Sequence, residues 1–467
     1  MASEIKRIHQ QLQSGDITCV ALVSQKLQAL KESKLNTSNF LLEEYALQKA
    51  ALVDDKIKKG EQIGLLEGIP FGLKDVYMLQ GQPASASSDF LKSYISPYTG
   101  TAVQKLLDAG AIPIVKENCD AFGHGSSNEN TVFGAAVNAH DSTKVAGGSS
   151  GGSAVNVAKN FTVFSLGGDT GGSIRQPAGY NKVYGLKPTY GRISRYGIMA
   201  YASSTDVVGP IAKSIEDIRI VLNAISGKDY RDQTMIDSTE ISESEIQDSK
   251  AKTFKIAYYK TFLQSEALDA GIKADFMALV EQLRASGTEV VELDFFDTNT
   301  LVSTYYALAM AETASNLARL DGTNYGHRKE GENLKDIYAV TRSENFTEET
   351  KRRIVGGNQV LSQGHSEEIY LKARALRDSM VKQFTEEFED VDIIISPVSL
   401  TPVPKIGENL KDPLAMYLSD AYTVGFSLGG LPTLTSPVGT ETGLQITAGM
   451  GQEAKVLQFA QLLNELS

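Results

Sequence analysis

Two glycine–serine turns on either side of a short apolar run constrain this chain more than any other feature. Residues 144–192 read KVAGGSSGGSAVNVAKNFTVFSLGGDTGGSIRQPAGYNKVYGLKPTYGR. The turns are Gly147–Ser153 and Gly167–Ser173, and between them Phe161–Leu166 is β-branched and aromatic, which predicts a buried strand. Backbone so rich in glycine reaches conformations closed to other residues and can hold hydroxyl groups close against main chain. A phosphate-binding loop would need Lys-Ser or Lys-Thr after its last glycine, but Gly152 is followed by Ser153-Ala154. The second turn follows the strand and precedes Ser173-Ile-Arg-Gln, which reads as a helix start. Ser173 would then lie beside the free N–H groups of Thr170, Gly171 and Gly172. Donors placed in this way stabilise an oxyanion, and removing one typically costs about 3–4 kcal/mol. Flexible linkers are the plain alternative for glycine and serine. Asp169, Arg175 and Gln176, set in and just after the second turn, are groups a linker does not need.

The rest of the composition removes whole classes of function. Only two cysteines occur in 467 residues, Cys19 and Cys119, so no disulfide framework is expected and a reducing compartment is the simpler reading. Five scattered histidines, without a His-Glu-x-x-His or a cysteine pair, predict no metal site. The formal charge of −12 suits a phosphate backbone poorly, so nucleic acid is expected mainly through a partner. No apolar run is long enough to span a membrane. The first residues lack a signal-peptide core and Glu4 fits a transit peptide poorly, so the expected location is cytoplasmic, or an organelle matrix if a presequence has been removed.

Taken in order, the chain alternates helices and strands, the pattern of an α/β sheet protein. Residues 3–13 and 16–33 predict amphipathic helices, with Gly15 closing the first and Asp16 capping the second. A third helix is expected at 44–59. Ile69–Leu73 predicts a strand delivering Lys74 and Asp75, then Thr101–Ala109 a helix and Ala111–Val115 a strand. The surface is the default home of a lysine, but Lys74 directly follows a buried-looking run. Residues 227–253 turn polar and acidic and read as a solvated surface excursion. Strand, helix and strand follow over 254–295, then a long helix from Ser303 to Leu320 that carries Tyr305 and Tyr306. Arg353 lies on another helical pattern, Ile393–Pro397 is a strand, Asp420 opens a glycine-rich run, and 452–466 form a final helix.

The ordered motifs GGSSGGSA (147–154), GGDTGGSIRQPA (167–178) and GLKPTYGRISRYG (185–197), preceded by Gly68-Ile-Pro-Phe-Gly-Leu-Lys74-Asp75, resemble the amidase signature family. The resemblance implies one large α/β domain over 1–467, a mixed β-sheet surrounded by helices with its signature core at about 68–210. It also implies a catalytic trio: Ser173 as nucleophile, Ser149 as proton relay and Lys74 as base, with Thr170, Gly171 and Gly172 as oxyanion donors. The loop with Gly125, Ser126 and Ser127 becomes pocket wall. Residues 191–210 are further similar to one subgroup, the A subunits of tRNA-dependent amidotransferases.

That subgroup implies glutamine as substrate, with Arg353 for its α-carboxylate, Asp420 for its α-ammonium, and Tyr306 in the pocket, Tyr305 being the alternative register. It implies two partners, a B subunit with a small C-type subunit. ATP and Mg²⁺ would be used by the assembled complex, with no cofactor on this chain. A stand-alone amidase acting on small amides with the same trio is the alternative. The sequence departs from the family at Ala121, His124 and Ala146, and between Thr442 and Gln445.

Overall fold

The computed structural model describes residues 2–247 and 253–466. An eleven-stranded sheet forms its spine. In chain order the strands are β1 (Ser38–Leu41), β2 (Pro70–Lys74), β3 (Ile112–Glu117), β4 (Phe164–Asp169), β5 (Tyr184–Lys187), β6 (Val207–Ala212), β7 (Lys255–Tyr259), β8 (Glu289–Leu293), β9 (Ile393–Pro397), β10 (Thr433–Ser436) and β11 (Leu444–Thr447). They lie in the order β1-β3-β2-β4-β6-β5-β10-β11-β9-β7-β8. Pairings β3–β2–β4 and β9–β7–β8 are parallel, and the other neighbours are antiparallel. The fold is α/β, one domain with a mixed sheet between helical layers. Helices cover both faces, so β2, β3 and β6 are buried along their whole length and read as apolar runs, β2 and β3 ending in the charged residues Lys74 and Lys116-Glu117. Phe71 on β2 stacks on Phe164 of β4 with ring centroids 5.0 Å apart.

Local signals explain most element ends. Ser3 caps the helix Glu4–Ser14 by accepting from Lys6 N–H, and Gly15 ends it in the left-handed conformation at φ 78°. The next helix, Cys19–Glu32, is capped by Thr18 and not by Asp16; Asp16 instead accepts from the Ser14 hydroxyl. The central strand runs over 164–169 and not 161–166, so Gly167 and Gly168 belong to the ladder opposite Gly209 and Val208. The long helix begins earlier than expected, at Thr298, because Asp297 caps it through Thr300 N–H.

Residues 227–247 follow a largely irregular path that is pinned to the body. Asp229 accepts from the hydroxyls of Thr101 and Ser194, Asp232 pairs with Arg195, and Ile241 and Ile246 are buried. Residues 248–252 of that polar stretch lie outside the described residues. Cys19 and Cys119 are both free and buried. Among the described residues no helix is long and apolar enough to cross a membrane, and no group of His, Cys, Asp or Glu is placed to hold a metal ion.

Candidate active site

Adjacent parallel strands bring the first three residues together. Lys74 is the last residue of β2, whose neighbour β4 runs straight into the Asp169–Ser173 turn. Lys74 Nζ donates to Ser149 Oγ at 2.6 Å and to the Gly168 carbonyl at 3.3 Å. The Gly148–Ser149 peptide bond is cis. Ser150, next in the chain, ties the two turns together: its N–H donates to the Ser173 carbonyl at 3.1 Å, and its hydroxyl lies 3.2 Å from both N and O of Gly168. Lys74 and Ser149 are 2% and 1% exposed, whereas Ser173 is 8% exposed, which leaves Ser173 the most reachable of the three.

Burial pushes the Lys74 amine below its ordinary pKa, against the more distant pull of Cys119, Asp120, Asp169 and Asp206. Asp120 is itself driven up to about 7 by burial, with the Asn128 and Asn130 N–H groups opposing the shift. The neutral amine is the form that can accept a proton.

The turn carrying Ser173 is held from below by a buried ion pair. Asp169 receives Arg175 through Nε at 3.0 Å and Nη2 at 2.9 Å, and its Oδ2 also accepts the Ile174 and Arg175 N–H groups. The far side of the Arg175 guanidinium donates to the Thr423 carbonyl, Gln445 and Ser427, welding this turn to the C-terminal part of the chain. These bonds leave the N–H groups of Thr170, Gly171 and Gly172 without an acceptor among the described residues. Gly171 has no room for a side chain, since a Cβ there would sit 2.6 Å from the Tyr305 ring.

Beside this turn lies a second cluster, drawn from distant parts of the chain. Asp420 accepts from Ser126 Oγ at 2.8 and 3.0 Å and from Tyr306 OH at 2.7 Å. Burial raises its pKa to about 6, while Tyr306, Ser126 and Arg353 oppose the shift. The other face of this pocket is Arg353, which is 2% exposed and stacked among three rings, at 5.4 Å from Tyr201, 5.2 Å from Tyr306 and 5.7 Å from Tyr417. Its Nε donates to Glu349 at 2.7 Å and its Nη1 to Tyr201 OH at 2.6 Å, whereas Nη2 is buried with no hydrogen-bond partner among the described residues. An unpaired buried guanidinium nitrogen is costly. Tyr306 touches both Asp420 and Arg353, while Tyr305 turns toward Gly171 and Tyr201.

Comparison with known proteins agrees with this architecture. The amidase family profile matches residues 20–457. The chain belongs to the amidase family. This amidase is 42% identical over 460 residues to the A subunit of glutamyl-tRNA(Gln) amidotransferase from Koribacter versatilis, covering 97% of this chain and 96% of that protein. It is 43% identical over 471 residues to the protein of the same name from a Nostoc species, covering 99% and 96%. The crystal structure of the corresponding A subunit from Thermotoga maritima superposes with a TM-score of 0.78 at 31% identity, covering 95% of this chain and 92% of that one.

Several site residues of this amidase carry little local signal. Tyr201 lies in the stretch after β5, and its own N–H is held by Asp206, which also accepts the Thr170 hydroxyl at 2.7 Å. Glu349 is visible only as an acid four residues before Arg353 on one helix. Tyr417 joins the cluster by donating to Glu349 at 3.1 Å. His124 packs edge-on against Tyr201 at 4.6 Å between Thr350 and Thr313, and burial together with Arg353 drives its pKa well down, so it is neutral. Gly125 and Ser126 lie in the same loop, with Ser126 reaching Asp420.

Proposed function

We propose that this amidase is the glutamine-hydrolysing A subunit of a tRNA-dependent amidotransferase, supplying ammonia for the conversion of Glu-tRNA(Gln) to Gln-tRNA(Gln). The observation that carries the reading is the buried Arg353, whose Nη2 has no hydrogen-bond partner among the described residues, joined through the Tyr306 ring to the buried carboxyl of Asp420. One cation and one anion joined by the Tyr306 ring match the α-carboxylate and α-ammonium of a free amino acid. Each of those charges would be expensive to bury unpaired. The near-full-length similarity to amidotransferase A subunits supports the same reading.

In the proposed reaction Ser173 Oγ attacks the side-chain amide carbonyl of glutamine, and its proton passes through Ser149 to neutral Lys74. The N–H groups of Thr170, Gly171 and Gly172 receive the developing oxyanion. The C–N bond then breaks, the proton returns along the same relay to the departing nitrogen, and ammonia leaves a γ-glutamyl ester on Ser173. Water cleaves that ester by the same relay, giving glutamate and free Ser173. Ammonia is consumed on a B subunit, which works with a small C-type subunit to activate the misacylated tRNA with ATP and Mg²⁺. This chain holds neither cofactor and meets tRNA mainly through the partner, in the cytoplasm or an equivalent compartment.

Glutaminase activity of the purified chain, with and without a co-expressed partner, tests the proposal. Glutamine hydrolysis that rises in the complex and drives tRNA-dependent amidation is the expected result. Efficient hydrolysis of simple amides, with no glutamine activity in either preparation, would replace it with a stand-alone amidase.

A further inference from the structure

The pocket around Arg353 contains more negative charge than a single amino-acid head group needs. Arg353 is buried there at 2% exposure, together with the carboxyl groups of Glu349 at 6% and Asp420 at 7%. His124, which also lies near the guanidinium, is neutral and adds no charge. Arg352 also pairs with Glu349, but it is 45% exposed and screened by solvent. Two buried carboxylates therefore face one buried guanidinium.

Glu349 also restricts how the guanidinium can be used. It sits one helical turn before Arg353, accepts from Nε at 2.7 Å, and is held in turn by the Tyr417 hydroxyl at 3.1 Å. Tyr201 takes Nη1. With Nε and one Nη1 hydrogen engaged and three rings fixing the plane, Nη2 is the guanidinium nitrogen with no hydrogen-bond partner among the described residues. Nε gives its single N–H to Glu349, so the side-on fork is closed and a ligand carboxylate meets the guanidinium at its Nη edge.

We propose that Glu349 is a specificity-determining positioning residue: it fixes Arg353 with Nη2 toward the pocket and offsets its charge, so that the site holds a neutral zwitterionic amide and sheds the anionic acid product. The inference rests on the reading that this pocket receives an amino-acid head group. Glutamine is electrically neutral overall, and glutamate differs from it by one negative charge where the amide stood. In a pocket with an excess carboxylate that charge is repelled, and the repulsion is stronger in a buried site than in water. Hydrolysis itself thus creates the charge that loosens the product.

Two variants in the assembled complex separate positioning from charge. Glu349→Gln keeps the shape and an acceptor for Nε but removes the charge, whereas Glu349→Ala removes both. The measurements are KM and kcat for glutamine, kcat/KM for butyramide (which has the reacting amide but no head group), and inhibition by glutamate. For Glu349→Ala, the ratio of kcat/KM for glutamine to that for butyramide should fall by about tenfold or more, chiefly through the glutamine KM. For Glu349→Gln, the inhibition constant for glutamate divided by the glutamine KM should fall several-fold. Equal losses on both amides in Glu349→Ala would overturn the positioning role, and an unchanged glutamate-to-glutamine ratio in Glu349→Gln would overturn the charge role. If the unmodified complex cleaves butyramide but not glutamine, the reading of the pocket fails instead, independently of either variant.

Discussion

Lys74 Nζ lies 2.6 Å from Ser149 Oγ in a place where neither residue is more than 2% exposed. An ammonium there has no carboxylate in direct contact among the described residues, and burial lowers its pKa. Lys74→Ala should reduce turnover on every amide by about a hundredfold to ten-thousandfold. Lys74→Arg should not restore it, because a guanidinium keeps its proton at working pH. Steady-state kinetics of the two variants check this, and an active Lys74→Arg enzyme would reduce the lysine to a structural role.

Ser173 is the hydroxyl assigned to attack. Ser173→Ala should abolish both glutamine hydrolysis and acyl-enzyme formation, while added ammonia still supports amide synthesis in the assembled complex. Mass spectrometry after trapping at low pH locates the ester. A γ-glutamyl ester on Ser150, whose N–H and hydroxyl are already engaged with Ser173 and Gly168, would contradict the assignment.

Asp420, raised to about 6, gives the pocket its own pH dependence. Binding the substrate ammonium requires the carboxylate, so kcat/KM for glutamine should fall as pH drops through about 6, with the change largely in KM. Butyramide shares the Lys74 limb but not this one, so the glutamine-to-butyramide ratio isolates Asp420. For folding the sign is reversed. A carboxyl raised from 3.8 to about 6 favours the protonated fold, and that contribution is fully present below 3.8 and lost as pH rises through about 6. A flat substrate ratio between pH 5 and 7, roughly one unit on either side of that value, would remove Asp420 from head-group binding.

The Asp169–Arg175 pair, fully buried on both sides, should show its weight in stability. Arg175→Ala leaves Asp169 without a cation and frees the acceptors at Thr423, Gln445 and Ser427. The expected loss is about 3–5 kcal/mol, read as a lower thermal midpoint. Activity should fall with it, because Asp169 also holds the Ile174 and Arg175 N–H groups that shape the turn.

Gly171 offers a steric test of the same turn. Gly171→Ala should cost activity because its methyl group meets Tyr305, at 2.6 Å before any relaxation. Adding Tyr305→Ala should recover part of the loss. Failure of the double variant to recover anything would mean that crowding against Tyr305 is not what makes glycine necessary there.

What the sequence made legible, through its resemblance to a family, was chemistry set on recognisable motifs. Lys74, Ser149 and Ser173 stand at or beside strand ends and turns whose glycines mark them, and β2 and β4 are neighbours. The surroundings of Arg353 were not legible in the same way. Tyr201 lies 152 residues before it and reaches it only because the whole sheet and its covering helices have closed. Asp16 and Thr18 are both good caps by type, and backbone register alone selected Thr18. Gly167 and Gly168 read as turn because glycine weakens strands. They belong to β4 because they pair with Gly209 and Val208 of β6, and glycine stands at 167 because a side chain there would crowd Ile174 at 2.8 Å and Ser150 at 3.1 Å.

The sheet order has one more consequence. β5 pairs with β10, and on the near side of that seam the chain up to residue 212 supplies Lys74, Ser149 and Ser173, while Tyr306, Arg353 and Asp420 come from later in the sequence. The trio proposed to break the amide bond thus lies on one stretch of gene and Tyr306, Arg353 and Asp420 on a later one, with Ser126 and Tyr201 of the earlier stretch reaching across to Asp420 and Arg353. Drift or recombination in the later stretch can redirect such an enzyme to a new substrate, provided the ties from Arg175 to Thr423 and Gln445 survive the exchange.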